Sequence, residues 1–180
     1  QAHTTTMPET SSEPMLREED GIHVELTYDH LDVVSVMQRV KSPKAGAVVL
    51  FAGTTRDTFA ARPVKQLTYT SYAPLALTTL LSLARDIKTA HALTAISITH
   101  RLGTVPIGEE SILIAVSSPH RQAAWRGGEE ALERCKERAE IWKLEEFGDE
   151  EGGVWRANRD GVMGVRVGEG EGAEGKGEGE

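Results

Sequence analysis

Apolar and polar residues alternate from Ile22 to Tyr28, with Ile22, Val24, Leu26 and Tyr28 against His23, Glu25 and Thr27. A period of two predicts a strand with one buried face. The pattern then changes to helical spacing. Val33, Val36, Met37 and Val40 share one face, and Asp29 stands where it can cap that helix. Ala47 to Ala52 is an unbroken apolar run, which predicts a strand buried on both faces. Val64 to Thr70 reads as another strand. Pro74 suits the first turn of a helix that turns Leu77, Leu80, Leu81, Ala84 and Ile87 to the core. Leu93 to Thr99 and Ser111 to Ser118 are two further strands, joined through Gly103, Pro106 and Gly108 and able to pair as a hairpin with a long loop.

The last long helix is expected to open with Ser118 as its cap and Pro119 at its first position. Its inner stripe is small: Ala124, Gly128, Ala131, Cys135 and Ala139. Gly127-Gly128 costs helix stability and is a place for a bend. The order β-α-β-β-α-β-β-α predicts an α+β fold with a mixed or antiparallel sheet. Residues 1–20 and 167–180 lack apolar periodicity and are expected to be disordered, which leaves one domain over 21–166.

Charge changes this picture little. The chain of 180 residues carries a formal net charge of -8, but residues 1–20 hold five acids against one arginine, and the segment from Gly168 holds five against one lysine. Each end therefore contributes -4 and the body is neutral, which disfavours an extended nucleic-acid surface and permits a local basic pocket. The single cysteine excludes an internal disulfide and fits a reducing compartment. No apolar run approaches a membrane span, so no membrane partner is expected and the reading is cytoplasmic.

Three basic clusters stand out as candidate chemistry. Arg56 follows Gly53-Thr-Thr at the exit of an apolar strand, either aimed into a cleft or paired with Asp57. His120 and Arg121 stand at a helix start, where unpaired amides and the dipole already favour an anion. Lys136 and Lys143 lie seven residues apart around Trp142, with Arg156 and Arg159 beyond Trp155. Taken alone, the Lys136–Lys143 stretch fits a solvated helix face as well. Cys135 reads as a packed, inert thiol. No metal-ligand spacing, serine triad or phosphate loop is present.

Four segments resemble one family when taken in order. They are Gly46-Ala-Val-Val-Leu-Phe-Ala-Gly-Thr-Thr-Arg56, His100-Arg-Leu-Gly-Thr-Val-Pro-Ile-Gly-Glu-Glu110, Val116-Ser-Ser-Pro-His-Arg121, and Lys136 with Ile141-Trp-Lys143 and Trp155. Together, over about Gly21 to Asp160, they resemble the large, catalytic subunit of molybdopterin synthase. The resemblance implies an α/β hammerhead-type fold and a homodimeric core within a heterotetramer. It implies a small ubiquitin-like partner whose Gly-Gly tail carries a thiocarboxylate, and transfer of two sulfurs to cyclic pyranopterin monophosphate. No metal or organic cofactor is implied.

By motif, Lys136 resembles the family's catalytic lysine and Lys143 its second active-site lysine. Arg56, His120, Arg121 and Arg159 match pterin- or phosphate-pocket positions, and Phe51 matches a contact to the partner tail. Glu140 stands where relatives often have proline and Asp57 where asparagine is frequent, so an extra carboxylate is expected near each basic site. The alternative reading is a non-catalytic adaptor that only docks a Gly-Gly tail; a phosphate-ester hydrolase is disfavoured by the missing metal set and nucleophile. One geometric constraint is independent of the resemblance. A helix from 120 to 136 holds its ends about 24 Å apart. His120 and Arg121 are therefore expected to complete the pocket of a second copy, unless the glycine pair bends the helix sharply.

Overall fold

In the computed structural model, which describes residues 14–148, 153–157 and the backbone of 165–166, β1 (Leu16–Glu19) pairs antiparallel with β2 (Ile22–Thr27). Residues 16–19 are thus a strand, which corrects the expectation that order begins at 21. The cause is local polar pairing. His23 bridges the carboxylates of Glu18 at 2.7 Å and Glu25 at 3.0 Å, and Arg85 reaches Glu19 from a neighbouring helix. Residues 1–13 and 167–180 lie outside the described residues.

Helix α1 (Val33–Val40) is capped by Asp32 rather than Asp29. The Asp32 carboxylate accepts from the backbone N–H of Val34 at 3.0 Å and Ser35 at 3.3 Å, and from the Ser35 hydroxyl at 2.7 Å. These bonds hold its pKa below the usual carboxylate range. Strand β3 (Ala47–Thr54) follows, then β4 (Thr58–Phe59), β5 (Arg62–Ser71) and α2 (Ala73–Ala90), with Pro74 in the first turn of α2 as expected. After α2 come β6 (Ala95–Arg101), β7 (Gly103–Pro106), β8 (Glu110–Ser118) and α3 (Arg121–Arg138). The described chain ends in β9 (Ile141–Phe147), β10 (Gly153–Ala157) and β11 (Val165–Arg166).

Two sheets result. One has the order β1-β2-β6-β8-β3, with β2 and β6 parallel and the other pairs antiparallel. The second runs β11-β10-β9-β5-β4, with β7 also bonded to β5. The fold is therefore α+β with a mixed sheet, as the element order predicted. Val24 and Leu26 join Leu77, Leu80, Leu83 and Ile87 of α2 in the main core, while α1 covers the opposite face through Val36 and Val40.

Strand β3 departs from expectation. Its side chains do reach cores on both faces, Val49 and Phe51 on one and Val48 and Leu50 on the other. Among the described residues it nevertheless pairs with β8 alone, and as an edge strand it stays half-buried. The β6–β8 hairpin forms as predicted, with antiparallel register from Ala95↔Ser117 to His100↔Ile112. Its connection needs Gly103 and Gly108, whose φ values of +81° and +82° fall where a side chain is strained.

Helix α3 begins at Arg121 with His120 in the cap position, two residues later than Ser118-Pro119 implied. The Ser118 hydroxyl donates instead to the His120 carbonyl at 2.5 Å, which holds the preceding turn. The helix runs unbroken through Gly127-Gly128. Those glycines serve close packing: a Cβ at 127 would meet Leu93 at 3.0 Å, and one at 128 would meet Val49 and Val116 at 3.5 Å. Among the described residues, no helix is long and apolar enough to cross a membrane.

Candidate functional site

A pocket of about 360 Å³ opens between the two sheets, closed by the last turn of α3. Strand β3 and its exit supply Phe51 and Arg56, α3 supplies Cys135 and Lys136, and β9 supplies Lys143 and Glu145. Tyr69 of β5 and His100 of β6 form part of the wall. The structure thus brings Phe51, Arg56, Lys136 and Lys143 together, although they span more than ninety positions of sequence.

Lys143 does not share the helix face with Lys136. It sits on β9, where successive side chains alternate and residues 143 and 145 share a face. Glu145 is 1% exposed, and Lys143 Nζ lies 3.4 Å from its Oε1. The other oxygen, Oε2, accepts from Arg156 Nε at 2.8 Å. The sequence places Arg156 in the basic cluster with the lysines, but Glu145, which joins Arg156 to Lys143, is not singled out. The available signals were the Lys-x-Glu spacing on a strand and the β9–β10 pairing, which sets Arg156 opposite Lys143.

Beyond Arg56, Lys136, Lys143 and Glu145 the wall mixes apolar side chains with hydroxyls and the His100 ring. His100 is fully enclosed, and burial pushes its pKa down to about 4 although Nδ1 donates to the Arg101 carbonyl at 2.7 Å. Its ring meets that of Tyr69 edge-on at 4.8 Å. Burial pushes the Tyr69 hydroxyl up; a hydrogen bond with Ser111 opposes this, and the Glu145 charge adds to it. The Cys135 thiol is pushed up to about 12 by burial, so it stays protonated at neutral pH, as expected of an inert thiol. Arg101 is occupied structurally, its guanidinium on Glu109 at 2.5 Å.

The two extra carboxylates fall away from the lysines. Glu140 accepts from the Thr79 hydroxyl at 2.8 Å, on α2, and does not line the pocket. Asp57 is exposed and also outside it. Arg159 lies outside the described residues.

His120 and Arg121 do not join the pocket. They line a separate, open hollow of about 860 Å³ with Gly46, Pro119, Trp125 and Arg126, at the far end of α3 from Lys136. Within one chain the described candidate substrate residues therefore lie at two separate hollows.

The model of the family described as MoaE protein matches residues 26–138. The chain belongs to the MoaE protein family. The molybdopterin synthase catalytic subunit of Neurospora crassa is 64% identical over 163 residues, covering 90% of this chain and 79% of that protein. Among solved structures, the molybdopterin synthase of Staphylococcus aureus is 34% identical with a TM-score of 0.69, over 73% of this chain and 94% of that one. A complex of subunits 1 and 2 of the molybdopterin-converting factor from Helicobacter pylori shares the fold, at 22% identity and a TM-score of 0.59, over 71% of this chain and 86% of that one. The MoaE matches bear out the fold and the family resemblance; the geometry places Phe51, Arg56, Lys136 and Lys143 in one pocket.

Proposed function

We propose that this MoaE-family enzyme of molybdenum cofactor biosynthesis is the catalytic subunit of a molybdopterin synthase. It moves two sulfurs from the thiocarboxylated C-terminus of a small ubiquitin-like subunit onto cyclic pyranopterin monophosphate, forming the dithiolene. The observation that carries this reading is the convergence of Phe51, Arg56, Lys136 and Lys143 in one pocket between the sheets. An anionic tail and an anionic substrate both need cations where water is partly excluded, and there a fixed charge acts more strongly than in bulk solvent.

In this reading Lys136 gives acid/base or electrostatic help at the thiocarboxylate carbonyl as sulfur leaves. Lys143 stabilises negative charge developing on substrate or tail. Phe51 packs against the incoming tail. Arg56, and His120 and Arg121 from a second copy, hold phosphate and pterin within reach of the sulfur, with Arg159 as a further anion contact. The working assembly is then a homodimer of this chain with a small subunit at each periphery. We place it in the cytoplasm, in keeping with one unpaired cysteine.

The test is dithiolene formation from cyclic pyranopterin monophosphate and a thiocarboxylated small subunit. Wild-type protein yields molybdopterin, and Lys136→Ala yields none while still binding the small subunit. A chain that binds the tail but neither binds the pyranopterin nor converts it would be an adaptor, and the proposal would fall.

A further inference from the structure

Arg156 does not line the pocket, yet it touches two residues that do. Its Nε donates to Glu145 at 2.8 Å, and its guanidinium lies 5.0 Å over the Phe59 ring of β4. The β9–β10 register sets it directly opposite Lys143. One buried carboxylate thus stands between two cations, with Lys143 on one oxygen and Arg156 on the other.

The arrangement has a consequence for charge. Lys143 and Glu145 alone would make a neutral pair, with the ammonium held against its carboxylate. A guanidinium stays charged at any working pH and its fixed planar donors occupy a carboxylate oxygen directionally. With Arg156 in place the three groups sum to +1, and Lys143 is left with a share of Glu145 only. We propose that Arg156 is a positioning residue for sulfur transfer, holding one oxygen of Glu145 so that the Lys143 ammonium is only partly engaged by that carboxylate and remains available to the reacting groups. The stack on Phe59 fixes the guanidinium and ties it to the rim of the same pocket.

This inference rests on the sulfur-transfer reading, and the experiment separates the two. The full-length chain is assembled with its thiocarboxylated small subunit, and kcat and KM for the pyranopterin are measured for wild type and variants confirmed to be folded. If wild type forms no dithiolene, the sulfur-transfer reading fails. If it does, Arg156→Gln is expected to lower kcat about tenfold and leave KM within about twofold, because the interaction lost is one made in the transition state.

Arg156→Lys, which keeps the charge, recovers most of that loss. Adding Glu145→Gln to Arg156→Gln also raises kcat, because no carboxylate then competes for Lys143. A merely structural Arg156 would give neither the kcat-only effect nor that rescue. Wild-type kcat in Arg156→Gln, or a double variant no faster than Arg156→Gln, overturns the inference. Should Arg156→Gln fail to fold, the double variant decides. A kcat within about fivefold of wild type supports the inference, and a larger loss overturns it.

Discussion

His120 caps the start of α3 and Lys136 occupies its last turn, so one unbroken helix separates them by about 24 Å. The helix is not interrupted at Gly127-Gly128. The basic groups at its two ends open into different hollows. A pyranopterin phosphate is far too small to bridge them.

Pocket completion across a two-fold axis is therefore expected to show in mixed dimers. An Arg121→Ala subunit paired with a Lys136→Ala subunit regains one intact site out of two, giving about half of wild-type turnover where each parent homodimer gives almost none. Activity assays on dual-tagged, purified mixed dimers check this. Mixed dimers as inactive as the parents would mean that each site is built within one chain.

Removing the last-turn amine separates chemistry from docking. Lys136→Ala is expected to reduce turnover by at least about a hundredfold and to leave the affinity for the small subunit within about threefold. Calorimetric titration with the small subunit, beside the dithiolene assay, gives both numbers. Turnover above a tenth of wild type would take Lys136 out of the mechanism.

Enclosure of His100 links stability to acid. Its pKa falls from 6.5 to about 4 in the fold, so between those values the unfolded chain binds a proton that the folded chain does not. Stability is full above the upper value and is lost as pH falls through this window, by about 1.4 kcal/mol per pH unit. Urea unfolding at pH 7 and pH 5 should show this loss, and His100→Gln should remove about one proton's worth of the slope. An unchanged slope in that variant would assign the acid sensitivity elsewhere.

Cys135 makes the opposite prediction at alkaline pH. Its thiol rises from 9.0 to about 12 on burial, so the folded state keeps a proton that the unfolded state has released. Stability from this source is intact below pH 9 and disappears as pH climbs toward 12. Cys135→Ala should flatten that decline. Native protein at pH 8 should resist iodoacetamide for as long as it stays folded; rapid labelling would show the thiol to be open to solvent.

Much of the scaffold was legible because burial imposes a period. The α2 stripe and the β6–β8 hairpin followed from apolar spacing, and the small stripe of α3 marked its close approach to the sheet. β9 was not legible for the same reason in reverse. One of its faces looks into a charged pocket, so Lys143 and Glu145 stand where a core strand would carry apolar groups. Asp29 and Asp32 offer the same side chain three residues apart, and only the bonds to Val34 and Ser35 decide between them. The basic residues of the site were visible singly. Their division into two hollows required the helix length, and the Glu145–Arg156 contact required the strand register.

β7 belongs by chain order to the β6–β8 hairpin of one sheet and by hydrogen bonding to β5 of the other. The pocket takes its walls from both. A chain that has assembled only one sheet therefore has no cavity in which to gather its cations. Ligand binding at this pocket should appear only with the last long-range pairing, so that the capacity to hold substrate is itself a proofreading mark of complete folding.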